Sequence, residues 1–259
     1  MVENETDLAP GVAAEADAHL AVSLAAEAGE LLVALRRDLQ DSPDRLRAEG
    51  DRQAHVLLVA RLAAERPNDA VLSEEGADDL RRLDFDRVWV VDPLDGTREY
   101  GEPGRTDWAV HVALSVRGVA VAGAVALPAR GLVLATDPPE PMPAAPSSPV
   151  VMTSRTRRPW AAEVVAQALG AELVEMGSAG AKAMAVVTGE ASAYAHAGGM
   201  YEWDSGAPVA VAAAAGFHVS RIDGSPLRYN QPDPWLPDVL VCRPELADQC
   251  LAVLAAGRE

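Results

Sequence analysis

Two carboxylates, Asp92 and Asp95, close an apolar run at Val88-Trp89-Val90-Val91, with only Pro93 and Leu94 between them. Held about 4 Å apart at an effective dielectric near 20, such a pair would repel by roughly 4 kcal/mol. A cation between them removes that cost. Val88 to Val91 reads as a short buried strand. Asp92, as the residue before a proline, is expected to stay extended and to end that strand. Gly96 permits the turn that follows, and the backbone N–H groups of Gly96 and Thr97 would face an anion. The carbonyl of Leu94 adds a further oxygen. A donor set made only of hard oxygens favours magnesium over zinc. The plainer reading of the same six residues is an Asp-capped surface turn.

Two other acidic places bear on that choice. Ala70-Val71-Leu72-Ser73 is another short apolar run, and it ends in Glu74-Glu75-Gly76. Much later, Tyr201-Glu202-Trp203-Asp204-Ser205-Gly206-Ala207-Pro208 puts Asp204 ahead of an alanine-rich stretch. Asp204 is expected to be the N-cap of a helix whose first turn holds Pro208, where a missing N–H is harmless. Met singly, Glu74-Glu75 would be a solvated turn and Asp204 a helix cap. Met together on one chain, they point to a shared cation site.

These residues carry a resemblance. Ser-Glu-Glu, then Asp-Pro-Leu-Asp-Gly-Thr, then Trp-Asp-Ser-Gly-Ala, in this order, resemble the signature set of the inositol monophosphatase superfamily, from about residue 15 to the C-terminus. The superfamily comprises magnesium-dependent, lithium-sensitive phosphomonoesterases. The chain is most similar to its bacterial 3′(2′),5′-bisphosphate nucleotidase branch, called CysQ-like. Residues 92–100, Gly-Ser-Ala-Gly-Ala-Lys at 177–182 and Tyr-Glu-Trp-Asp at 201–204 carry that similarity.

The resemblance implies that Glu74, Asp92, the Leu94 carbonyl and Asp95 hold a first magnesium ion, with Asp92, Asp95 and Asp204 sharing a second. It implies that Glu74 and Thr97 prepare the attacking water, and that Gly96 and Thr97 bind the scissile phosphate. Ser178 and Lys182 fall where relatives hold the nucleotide, so the substrate set becomes Leu94, Asp95, Gly96, Thr97, Ser178, Lys182 and Asp204. A third, weaker ion would fall at Asp51, and Glu75, beside Glu74, is a further candidate. Asp51 matches the family's acidic position, but the loop before it lacks the usual lysine and has Ala48 in place of threonine. His196 and Tyr201 are further cleft candidates, Tyr201 and Trp203 by stacking on a base or by packing the cleft wall. The remaining histidines read as structural.

The implied activity is removal of the 3′-phosphate from 3′-phosphoadenosine-5′-phosphate, or from its phosphosulfate, a reaction of sulfur metabolism. Inositol-1-phosphate and fructose-1,6-bisphosphate are alternative substrates within the superfamily. A non-catalytic nucleotide or metal sensor is the alternative from another class. Relatives are commonly dimers.

Composition sets bounds. A chain of 259 residues with 49% hydrophobic residues can build a large core. Its net charge of −17 argues against a nucleic-acid partner, which needs clustered Lys and Arg. Divalent ions would invert that sign locally at an anion site. The two cysteines, Cys242 and Cys250, have no metal-binding spacing and read as buried thiols. No basic, apolar leader is visible, and no stretch reads as long and charge-free enough to span a bilayer. A cytoplasmic, reducing setting without a membrane partner is the expectation.

The elements that must position these groups follow from periodicity. Helices are expected over 15–39 and 51–66, and strands near 70–72, 88–92, 108–116, 119–127 and 131–136. The last three strands should pair antiparallel. Residues 138–149, rich in Pro and Ala, read as an exposed connection. It would join an α+β half, 1–137, carrying the first metal site, to an α/β half, 150–259, carrying Asp204 and the substrate residues. In the second half strands and helices alternate: strands at 150–153, 172–176, 192–196, 217–221 and 238–242, helices at 159–169, 179–189, 205–215 and 245–256. The fold class is α+β with α/β character. The resemblance implies a layered α-β-α-β-α sandwich of the inositol monophosphatase/fructose-1,6-bisphosphatase type.

Overall fold

The computed structural model describes residues 10–157 and 159–257. Helix α1 (Pro10–Asp38) buries Ala18, Ala21, Leu24, Ala25, Ala28 and Leu32, one apolar stripe at helical spacing. Helix α2 (Pro43–Glu65) buries Leu46, Gly50, Ala54, Leu58 and Leu62, one residue per turn. It starts well before the expected residue 51, because Pro43 preorganises the first turn and Leu46 already faces the core. Asp51 therefore sits on a packed helix, not at the end of a loop. Over Glu15–Asp38, α1 is also long and apolar enough to cross a membrane by composition, so the expectation that no such stretch exists does not hold. Here its apolar stripe packs on a sheet.

That sheet runs in the order β1 (Ala70–Ser73), β2 (Arg87–Asp95), β3 (Ala109–Val116), β4 (Val119–Leu127), β5 (Leu132–Ala135). β1 lies parallel to β2, and the later pairs are antiparallel. Strand β2 does not stop at Asp92. It runs through Pro93 to Asp95 with a bulge, since Asp92 pairs with His111 while Asp95 pairs with Ala109. Proline is tolerated where the ladder is already interrupted. A short helix, α3 (Thr97–Gly101), follows directly.

The second sheet has the order β7 (Glu172–Met176), β6 (Val150–Ser154), β8 (Ala193–Tyr201), β10 (Trp235–Cys242), β9 (His218–Ser220). Helices α4 (Trp160–Leu169) and α7 (Ala247–Ala256) cover its outer face, where Cys242 and Cys250 are buried, free thiols. Helices α5 (Ala179–Val187) and α6 (Glu202–Ala214) lie between the sheets.

Three large cores define the layers, with a small fourth cluster of Leu72, Val88 and Val90 at the β1–β2 edge. Val110, Val112 and Leu114 of β3 join α1 and α2 in one. Ala109 and Ala113, on the other face of that strand, join α5, α6 and the inner face of the second sheet in another. The outer face of the second sheet with α4 and α7 makes the third. The result is the expected α-β-α-β-α sandwich. Residues 138–149 are mostly exposed and join the two sheets.

Two local expectations at α6 change. The helix begins at Glu202, so Asp204 stands in its first turn, not at the N-cap position, which Tyr201 holds. Pro208 lies inside the helix. It has no N–H to offer the carbonyl of Asp204, four residues earlier.

Candidate metal centre

Strand pairing brings the first two acids together. Ser73 of β1 lies in register with Val91 of β2, so Glu74 and Asp92 leave neighbouring strands side by side. The Glu74 N–H donates to the Val91 carbonyl at 3.3 Å, and the two carboxyl groups share a hydrogen bond. Asp92 Oδ1 accepts the Leu94 N–H at 3.0 Å, which sets the bulge that aims Asp95. Asp204 enters from α6, its Oδ2 accepting the Tyr201 N–H at 2.6 Å.

Asp95 is held from the second half of the chain. Its Oδ2 accepts the Ser178 hydroxyl at 2.5 Å and the Gly180 N–H at 2.8 Å. Ser178 is also the N-cap of α5, accepting the Ala181 N–H at 2.9 Å. His111, fully buried, stands behind both aspartates: Nε2 lies 3.3 Å from Asp95 and Nδ1 lies 4.0 Å from Asp92 and 3.0 Å from the Trp203 carbonyl. Burial keeps this imidazole's pKa below its usual value, against the pull of Asp95. Gly180 has no alternative here, since a Cβ would lie 2.0 Å from His111 Nε2.

The phosphate-facing turn is equally constrained. Gly96 adopts φ 85°, and Thr97 starts α3. The Thr97 hydroxyl lies 3.2 Å from Asp51 Oδ1 and 3.1 Å from the Leu94 carbonyl, and its one proton serves one of them at a time.

The electrostatics of this corner are those of acids short of positive charge. Asp92, wholly buried, is raised well above the carboxylate range by desolvation, then by Glu74, Asp95 and Asp204. Asp204 is raised to about 7 by desolvation and Asp95. Glu74 is raised to about 7 by desolvation, then by Asp204, Asp95 and Glu75, with its hydrogen bond to Asp92 opposing. Glu74 nevertheless keeps an exposed face. Asp51 is raised to about 6 by desolvation and by Glu75. Ligand atoms of Asp92, Asp95 and His111 lie within 4.8 Å of one another. Four carboxylates and the Leu94 carbonyl make a hard-oxygen set that fits a divalent cation such as magnesium.

The structure thus gathers Glu74, Asp92, Leu94, Asp95, Gly96, Thr97 and Asp204, with Asp51 and Glu75 beside them. It treats the other candidates differently. Ser178 and Lys182 are buried behind Asp95. The Lys182 ammonium donates to the carbonyls of Met176, Gly177 and Ser178, and burial lowers it to about 8. His196 is buried against the Gly199 carbonyl at 3.1 Å. Tyr201 is exposed and stacks on Trp203, with centroids 4.7 Å apart and planes 9° apart. Spacing alone did not single out His111 or the charge of Arg157, an exposed residue whose field reaches Asp204, Tyr194 and His196. The signal for His111 is its pairing with Asp92 across the β2–β3 hairpin, visible only once register is known.

The sequence profile described as the inositol monophosphatase family matches residues 5–140 and 141–256. The chain belongs to this family. Within it, the chain is 53% identical over 239 residues to the 3′-phosphoadenosine 5′-phosphate phosphatase of Mycobacterium bovis, covering 88% of this chain and 90% of that protein. It is 30% identical over 200 residues to the 3′(2′),5′-bisphosphate nucleotidase CysQ of Escherichia coli, covering 72% and 80%. A crystal structure of the family member CysQ from Bacteroides thetaiotaomicron superposes with a TM-score of 0.76 at 28% identity, over 88% of this chain and 97% of that one.

Proposed function

We propose that the chain is a magnesium-dependent 3′(2′),5′-bisphosphate nucleotidase, taking 3′-phosphoadenosine-5′-phosphate to AMP and phosphate and acting likewise on the phosphosulfate. The observation that carries the reading is the convergence of Glu74, Asp92, Asp95 and Asp204 on the Gly96–Thr97 turn. The 53% identity to proteins named for this substrate supports the choice within the family.

In this reading Glu74, Asp92, Asp95, Asp204 and the Leu94 carbonyl would hold a pair of divalent ions, with Glu74 and Leu94 nearer the first and Asp204 nearer the second. Bound magnesium supplies the Lewis acidity that phosphate-monoester hydrolysis needs. The chain's own groups then do the positioning. The N–H groups of Gly96 and Thr97 bind the scissile phosphate. Asp51 accepts the Thr97 hydroxyl proton, leaving the Thr97 oxygen with Glu74 to orient the attacking water. Ser178 and Gly180 fix Asp95, so Ser178 acts behind the substrate, and Lys182 contributes its charge from the same depth. Arg157, whose charge reaches Asp204, would meet the anionic nucleotide, and exposed Tyr201, stacked on part-buried Trp203, offers an aromatic face.

A panel of 3′-phosphoadenosine-5′-phosphate, its phosphosulfate, inositol-1-phosphate and fructose-1,6-bisphosphate, each with magnesium and with chelator, tests this. The expected result is chelator-sensitive phosphate release, fastest from the two nucleotides. A preference of about tenfold in kcat/KM for inositol-1-phosphate would overturn the substrate. No release from any compound at saturating magnesium would overturn the enzyme.

A further inference from the structure

Helix α3 begins at Thr97, so whatever displaces it displaces the Gly96–Thr97 N–H groups. It is five residues long, too short to hold itself by helical cooperativity. Two arginines from elsewhere in the chain hold it. Arg36 of α1 donates to the carbonyls of Glu102 at 2.6 Å and Arg105 at 2.7 Å, just past the helix end. Arg155, which follows β6 in the second half, meets the carboxylates. Its Nε and Nη2 lie 3.1 and 2.7 Å from Glu99 Oε1, while Nη1 and Nη2 lie 3.0 and 2.8 Å from the two oxygens of Glu102.

Glu99 is 4% exposed. It reaches Arg155 through a slot that exists because residue 177 is glycine, since a Cβ there would lie 2.3 Å from Glu99 Cδ. The same Gly177 donates its N–H to Asp107 Oδ2 at 2.6 Å. The turn before α5, which also carries the Asp95-binding Ser178, is therefore packed against α3.

We propose that Arg155 is a positioning residue: through Glu99 and Glu102 it fixes α3, and with it the phosphate-binding turn, against the half of the chain that carries Asp204. The inference rests on the phosphatase reading above. Three guanidinium nitrogens meet three carboxylate oxygens, a set of contacts that an ammonium reproduces only in part. A second ion pair between the halves, Arg130–Glu190, lies on the turns that end β4 and precede β8, away from α3, and is partly exposed. It serves as the control for a contact that only staples.

The test compares the wild-type chain with R155Q, R155K, G177A and R130Q, all loaded with magnesium. Four quantities are read: kcat and KM on 3′-phosphoadenosine-5′-phosphate, inhibition by inorganic phosphate, and Tm. R155Q is expected to lower kcat by about 30-fold and to weaken phosphate inhibition about tenfold, as misplacement of a binding turn does. R155K should recover part of both. G177A, which expels Glu99 without touching Arg155, should follow R155Q. R130Q should stay within about twofold on kcat and phosphate inhibition, whatever its Tm. The inference fails if R155Q lowers Tm yet keeps wild-type kcat and phosphate inhibition, the signature of a staple. It also fails if R155Q raises KM for the nucleotide with phosphate inhibition unchanged, the signature of direct substrate contact. A wild-type chain that releases no phosphate removes the phosphatase reading, and this inference with it.

Discussion

Asp95 and Glu74 face one corner of the molecule and are held there in opposite ways. Asp95 is fixed by neutral donors from the other half of the chain, a hydroxyl and a backbone N–H, with an imidazole behind it. Glu74 is bonded through its carboxyl to another acid, Asp92, and keeps an exposed face. One group has its place before any cation arrives. The other has its pKa raised to about 7, by desolvation first and then by the like charges that crowd it. Asp95 is thus anchored by protein donors, while Glu74 and Asp92 lean on each other.

The strongest way to break that contrast is Asp95→Asn. An amide can still accept from Ser178 and Gly180, so the fold should persist with an unchanged circular dichroism spectrum. Turnover should fall by at least about 10³-fold, because the carboxylate proposed to hold both cations loses its charge. Retained activity would remove Asp95 from the site. Asp51→Asn comes next, with an expected loss of about 10²-fold in kcat and magnesium affinity unchanged by calorimetry, since Asp51 acts on the Thr97 hydroxyl. Equal losses in metal affinity would make Asp51 a ligand instead.

Gly180→Ala attacks the anchoring of Asp95. The new methyl falls on His111, and urea denaturation should report a loss of about 1–3 kcal/mol, the usual cost of overpacking. The mildest test is pH. Glu74 and Asp204, raised to about 7, and Asp51, raised to about 6, bind more protons folded than unfolded between about pH 4 and their folded values. Stability of the metal-free protein is therefore present at low pH and is lost as pH rises through this window. Saturating magnesium should flatten the decline, and thermal melts from pH 4.5 to 7.5 would show it. A metal-free protein equally stable at both ends would contradict the crowding of these acids.

The acidic ends of β1 and β2 were legible because each closes a short apolar run, a pattern that reads directly in sequence. The antiparallel order of β3 to β5 and the layered architecture were legible for related reasons, from adjacent apolar runs and family motifs. What stayed hidden depends on partners. The bulge that carries β2 through Pro93 exists only against β3, and His111 becomes a neighbour of Asp92 only through that pairing. Asp204 reads as a cap by composition, yet β8 extends to Tyr201 and moves the helix start ahead of it. Lys182 looked like a substrate cation. Its spacing along α5 gave no hint that three backbone carbonyls would take its protons.

The middle layer has one more consequence. Helices α5 and α6 come after the Pro-rich connection in sequence, but their apolar residues fill the space beneath the first sheet as well as the second. Neither portion of the chain can be expressed alone without baring that greasy surface to water. Cleavage within the exposed connection at 138–149 is expected to leave the two fragments associated on a sizing column. The helices α5 and α6 therefore tie the stability of each sheet to the presence of the other.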